Sequence, residues 1–143
     1  MSKYTGFILG ICIFLTLFSG CGRPSHIDSP SGQEFTLYQG QTAQITEGTT
    51  LSLIIEFISV TGDSRCPSDV TCIQAGSVTC RLNITEKSKG DTPAAVTLIQ
   101  PPSAMTFDAY QLSYEVLPYP VSTKSLQQSD YYIKMTVTRL AGT

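Results

Sequence analysis

Cys66 and Cys72, five residues apart and surrounded by Asp63, Arg65 and Asp69, form the densest group of chemically capable side chains in the sequence. Two thiols can close a disulfide, cycle as a redox couple or hold a soft metal ion. Redox couples use the tighter Cys-x-x-Cys spacing, which lowers the pKa of one thiol, so a thiol redox protein ranks behind a structural disulfide. Copper handling through Met105, Met135 and Cys80 ranks lower still, because the last two fall on apolar faces of their strands. Arg65 is expected either to pair with Asp63 or Asp69 inside the loop or to point outward and recognise a partner. Asp63, Arg65 and Asp69 are therefore the candidate recognition residues.

Other chemistry lacks its parts. His26 is the only histidine, and it sits in a Pro-, Ser- and Gly-rich stretch with nothing rigid to orient it for proton transfer. There is no Gly-x-Ser-x-Gly elbow, no cluster of metal ligands and no phosphate-binding glycine loop. The sequence predicts a protein that is not an enzyme and carries no cofactor and no metal.

The start of the chain sets where these residues act. Lys3 is followed by an apolar run over residues 7–18, broken only by Gly10 and Thr16. A membrane-spanning helix needs about 20 apolar residues and a signal-peptide core about 7 to 15, so residues 1–20 are expected to be a cleaved export signal. Leu17-Phe18-Ser19-Gly20-Cys21 resembles the bacterial lipobox. The resemblance implies cleavage between Gly20 and Cys21 and a diacylglyceryl group on the Cys21 thiol, with palmitate-type chains. Two or more acyl chains anchor firmly where one holds only marginally. Gly22 replaces the aspartate of inner-membrane retention signals, which favours the outer membrane of a Gram-negative cell or, otherwise, the outer face of the cell membrane.

From Cys21 onward about 120 residues remain, enough for one domain with its own core. The net charge is −2 and no basic cluster occurs, which argues against nucleic acid as a partner. Residues 21–32 read as the lipidated N-terminus and a flexible tether, and residues 33–143 as the domain. Cys12 leaves with the signal and Cys21 carries lipid, leaving Cys66, Cys72 and Cys80. Disulfides persist outside the cytosol, and Cys66 with Cys72, flanking a turn-like loop, are the obvious pair. Closing so short a loop contributes about 2 kcal/mol. In Val78-Thr79-Cys80-Arg81-Leu82-Asn83-Ile84 alternation places Cys80 on the apolar face, as a buried free thiol.

The elements that position these residues are strands. Alternation recurs around Phe35 and Leu37, Ala43 and Ile45, residues 77–85, a weaker run over 95–99 halted by Pro101-Pro102, then Tyr110 to Val116 and Tyr131 to Val137. Residues 51–60 are apolar on both faces, as expected of a central strand covered on both sides. The fold class is all-β, an immunoglobulin-like two-sheet sandwich of about seven strands.

Asp63-Ser64-Arg65-Cys66-Pro67-Ser68-Asp69-Val70-Thr71-Cys72, followed by Ala75-Gly76, resembles the hallmark of a family of uncharacterised bacterial lipoproteins and secreted β-domains. The likeness covers nearly all of residues 34–140, and it brings no activity with it. Pro67 is expected to restrict the loop and Gly76 to supply a backbone angle that other residues avoid. The function expected is a lipid-anchored envelope module that binds a protein or glycan partner without catalysis. The alternative is an inhibitor of a protease or lytic enzyme that presents the disulfide-braced loop 63–76.

Overall fold

The computed structural model describes residues 25–141. The export signal, Cys21 and the first residues of the expected tether lie outside them. The described chain folds as an all-β sandwich of two sheets. The first sheet holds β1 (His26–Pro30), β3 (Thr42–Glu47), β4 (Thr50–Asp63), β5 (Val78–Glu86) and β6 (Ala94–Gln100), in that spatial order. The second holds β2 (Glu34–Tyr38), β9 (Tyr132–Arg139), β8 (Tyr110–Leu117) and β7 (Ala104–Phe107). Every pairing is antiparallel except that of β1 with β3.

Period-two sequence becomes a core because alternate side chains leave a strand on opposite faces. In the first sheet Ala43, Ile55 and Ile84 lie side by side, as do Phe57 and Leu82. In the second, Leu37, Ile133 and Val116 make one row and Phe35, Met135 and Tyr114 the next. All are buried between the sheets. Cys80 is there too, a free thiol with no exposed surface, beside Val78, Leu82 and Ile84.

The strands differ from the sequence reading in three places. The part of the expected tether that it describes is not a tether: His26–Pro30 forms β1, with Ile27 packed on the core and Ser29 buried. Its inward pattern is two residues long and one of them is serine, too weak to outweigh the Pro and Ser around it. Pro30 is tolerated because β1 is an edge strand. A second strand beyond the expected seven, β7, is a four-residue edge strand with only Met105 and Phe107 turned toward the core.

The third correction concerns residues 51–60. They lie in the middle strand of the first sheet, but a two-layer sandwich covers only one face: Leu53, Ile55 and Phe57 are fully buried, whereas Leu51, Ile54 and Ile58 are half-buried. Register shifts between Phe57 and Ser59 and between Val60 and Gly62 change the phase of β4, so that Val60 and not Ser59 turns inward.

The topology divides the connections between two ends. The first carries the start of β1 at Ser25, the β2–β3 turn, the β4–β5 connection with both loop cysteines, the β6–β7 turn and the long β8–β9 connection. The second carries the β1–β2, β3–β4, β5–β6 and β7–β8 turns and the end of β9. We call them the disulfide end and the charged end.

Candidate functional site

The disulfide end is built around Arg65. Asp63, the last residue of β4, presents its carboxylate where the strand leaves the sheet. Arg65 Nε donates to Asp63 Oδ1 at 2.9 Å and Nη2 donates to Oδ2 at 2.7 Å, a forked pair. The Arg65 backbone N–H also donates to Asp63 Oδ1, at 3.1 Å. The remaining donors reach the other sheet, Nη1 to the Val116 carbonyl at 2.5 Å and Nη2 to the Pro118 carbonyl at 2.9 Å. Tyr119 covers the guanidinium, its ring centre 4.7 Å away. Tyr131 completes the cluster by donating its hydroxyl to Asp63 Oδ2 at 3.1 Å.

Burial alone would raise the Asp63 pKa. The hydrogen bonds and charge of Arg65 and the Tyr131 hydroxyl outweigh it and hold the carboxyl below the usual carboxylate range. Tyr131 moves the other way: burial, then the adjacent Asp63 carboxylate, push its hydroxyl up to about 12. The Cys80 thiol is also pushed up to about 12, by burial and against the opposing pull of Arg65. A thiol so shielded stays protonated and unreactive at neutral pH.

Cys66 and Cys72 are joined, with their Cα atoms 5.9 Å apart. The braced loop is then stapled to the β8–β9 connection. Asp69 accepts from the Ser122 backbone N–H at 2.8 Å and from the Ser122 hydroxyl at 2.5 Å, and the Ser68 N–H donates to the Pro120 carbonyl at 2.9 Å. Of the three candidate recognition residues, Asp63 and Arg65 are therefore turned inward, on each other, and Asp69 spends its carboxylate on Ser122. Of the two placements open to Arg65, the inward pairing with Asp63 is the one found. Five donors on a fixed planar fork find four acceptors inside the sandwich, which water outside would not supply in that geometry.

The role of Gly76 is corrected. Its φ is not positive. A Cβ at this position would meet the Ser64 carbonyl oxygen at 1.6 Å and the Arg65 backbone N at 2.9 Å. Glycine is needed because the chain that carries Arg65 lies directly against it. Nothing in the spacing of the motif announces that contact, although the pairing of Arg65 with Gly76 in one short motif is the signal that could have suggested it.

Two glutamines that the sequence reading passed over join the sheets here. The buried Gln100 accepts from the Val116 N–H at 2.8 Å. Gln128 donates to the Val60 carbonyl at 2.8 Å and accepts from its N–H at 3.2 Å, clasping β4 where its register shifts. Among the polar Ser68, Asp69, Thr71 and Gln74 the loop also exposes two apolar side chains, Ile73 wholly and Val70 by 47 %, and Tyr119 of the β8–β9 connection is 43 % exposed. A shallow groove of about 340 Å³ runs beside it, between Cys66, Ala75, Pro101 and Tyr119.

The charged end differs in kind. A groove of about 430 Å³ is lined by Glu47, Ser52, Glu86, Lys87, Tyr110 and Arg139 among others. Arg139 Nη1 donates to Glu47 Oε2 at 2.7 Å, and Lys89 pairs with Asp108 at 2.7 Å. The hydrogen bond from Lys89 holds the Asp108 carboxyl below its ordinary value. Glu47 Oε1 is buried and has no hydrogen-bond partner. Glu86 Oε2 is paired with Lys89 Nζ at 3.3 Å. Among the described residues no three His, Cys, Asp or Glu side chains gather as a metal site.

Fold and site together define an all-β sandwich domain with a disulfide-braced, ion-paired end. No family model, curated protein or solved structure matches the chain.

Proposed function

We propose that the protein is a lipid-anchored module of the bacterial cell envelope that binds a protein or glycan partner through its charged end and performs no catalysis itself. The anchor is the diacylated Cys21 of the lipobox, and the likeness of the Asp63–Gly76 motif to that of envelope lipoproteins agrees with it. The observation that carries the choice of surface is the groove at the charged end. It brings the 61 % exposed side chain of Arg139 together with the Glu47, Ser52 and Glu86 side chains, so that donors and acceptors stand side by side in one groove. A ligand bearing hydroxyls or amides would pair with the exposed polar groups of this groove, the Arg139 guanidinium among them.

Cross-linking in intact cells, followed by capture of the lipidated chain and mass spectrometry, tests this reading. Two variants run alongside, one with Arg139→Ala and Glu47→Gln together and one with Ile73→Ser. A partner lost only from the first is expected. A partner lost only from the second would move recognition to the disulfide loop and bring back the inhibitor reading. Turnover of substrate by the purified protein would overturn the non-catalytic one.

A further inference from the structure

We infer that the disulfide end stands on the very bilayer that anchors the chain, with Ile73 and Val70 in the lipid interface and the charged end turned away from it. The inference rests on the lipid anchor at Cys21 proposed above.

The first support is where the described chain begins. β1 runs parallel to β3 and so antiparallel to β4, which places its start at the end of the sandwich toward which β4 runs out into the disulfide loop. Ser25 is held on that side of the sandwich, its carbonyl accepting from the Thr42 N–H at 3.1 Å, although Thr42 pairs with Glu56 and β4 runs on beyond this level to Asp63. Cys21 precedes Ser25 by four residues. Whatever their arrangement, four residues span at most about 14 Å. A lipid on Cys21 is thereby kept close to the level at which the chain joins the sandwich, and the chain leads to it from the disulfide end.

The second support is charge. The short connections of the charged end, residues 31–33, 48–49, 87–93 and 108–109, carry Lys87, Lys89, Asp91 and Asp108, and the strand ends beside them add Glu47, Glu86 and Arg139. The longer connections of the disulfide end, residues 64–77, 101–103 and 118–130, carry only Arg65, Asp69, Lys124 and Asp130. Arg65 is neutralised by Asp63 in the interior, and the Asp69 carboxylate is bonded to Ser122. The tip of the loop, residues 70–75, has no charge at all.

The third support is the tip itself. Ile73 is wholly exposed and Val70 nearly half exposed, on a loop that the disulfide and the bonds to Pro120 and Ser122 hold in place. An apolar side chain on a rigid support loses little further freedom when it enters a bilayer. Tyr119 stands beside it, 43 % exposed, and a tyrosine with an apolar body and a polar tip suits the headgroup level.

The sequence contains no tryptophan, so a single introduced indole reports on its own position. The lipidated full-length chain, as Ile73→Trp or Leu140→Trp, would be reconstituted in phosphatidylethanolamine–phosphatidylglycerol vesicles with brominated acyl chains. Leu140 is 41 % exposed at the charged end. The expected result is about twofold quenching at position 73, the depth of interfacial apolar groups being about 5–10 Å, and none at position 140. Flotation and intact mass, measured on the same samples, separate the two ideas. A chain that floats with Cys21 acylated but shows no quenching at position 73 overturns this orientation and leaves the anchor standing. So does an indole there that shifts to the blue without quenching, which would mean that a second copy or another protein covers it. A chain that does not float, with Cys21 unmodified, overturns the anchor and the orientation with it.

Discussion

At the disulfide end Arg65 and Asp63 meet at 2.7 Å with side chains 5 % and 8 % exposed; at the charged end Arg139 and Glu47 meet at the same 2.7 Å with side chains 61 % and 23 % exposed. Equal distances conceal unequal consequences. Water screens the Arg139 pair and would solvate either partner left alone, so such pairs contribute little to stability. The Arg65 pair is shielded from solvent. Its fork holds the end of β4, the β8 carbonyl of Val116 and the start of the β8–β9 connection, and removing it would strand the Asp63 carboxylate in the interior. The first pair ties the two sheets together at one end; the second leaves its surface available to a ligand.

The comparison can be broken most directly at Arg65. Arg65→Ala is expected to cost about 3–5 kcal/mol in urea unfolding, the penalty for an uncompensated buried charge. Arg65→Lys should recover only part of this, because an ammonium cannot reproduce the fork. Gly76→Ala comes next, at about 3 kcal/mol, the upper end for overpacking, since the new methyl would lie on the Ser64 carbonyl. It should appear as a lower melting temperature with the disulfide still formed. Replacing Cys66 and Cys72 by serine opens a short loop and should cost about 2 kcal/mol, a loss that reduction of the wild-type protein should reproduce.

Tyr131→Phe, which removes one hydroxyl from Asp63, is expected to cost about 1.5 kcal/mol at neutral pH. It also has a pH signature. The folded Tyr131 pKa is raised from 10.0 to about 12, so its contribution is complete below pH 10 and is lost as the pH rises through 12. Cys80, raised from 9.0 to about 12, adds to the same alkaline decline. Tyr131→Phe should flatten that decline and Cys80→Ala should flatten it from the lower edge, near pH 9, upward. The smallest effect is expected at the charged end: Arg139→Ala should leave the urea midpoint unchanged. A marked destabilisation there would erase the distinction between the two ends.

Much of the fold was legible because alternation is strong where a strand has a buried face. The rows through Phe35, Ile45, Cys80, Leu112 and Met135 could be read from the chain, and so could the pairing of Cys66 with Cys72. β1 and β7 could not, because an edge strand with two inward residues carries almost no periodic signal. The phase change in β4 was also hidden. A register shift depends on what the strand must reach at its far end, here Asp63 in contact with Arg65 and Tyr131, and that partner set is assembled from segments more than 50 residues apart in the sequence.

The sequence by itself determined which residues alternate into a two-sided core and which cysteines are close enough to close a loop. These are local properties, set by the two-residue period of a strand and by short chain separations. Only the tertiary structure decided that Arg65 points inward, that Gly76 is required by contact and not by its φ, and that Ile73 is left outside. Whether a charge turns in or out depends on how many acceptors the rest of the fold gathers around it, and those on Val116 and Pro118 exist only once the second sheet is in place.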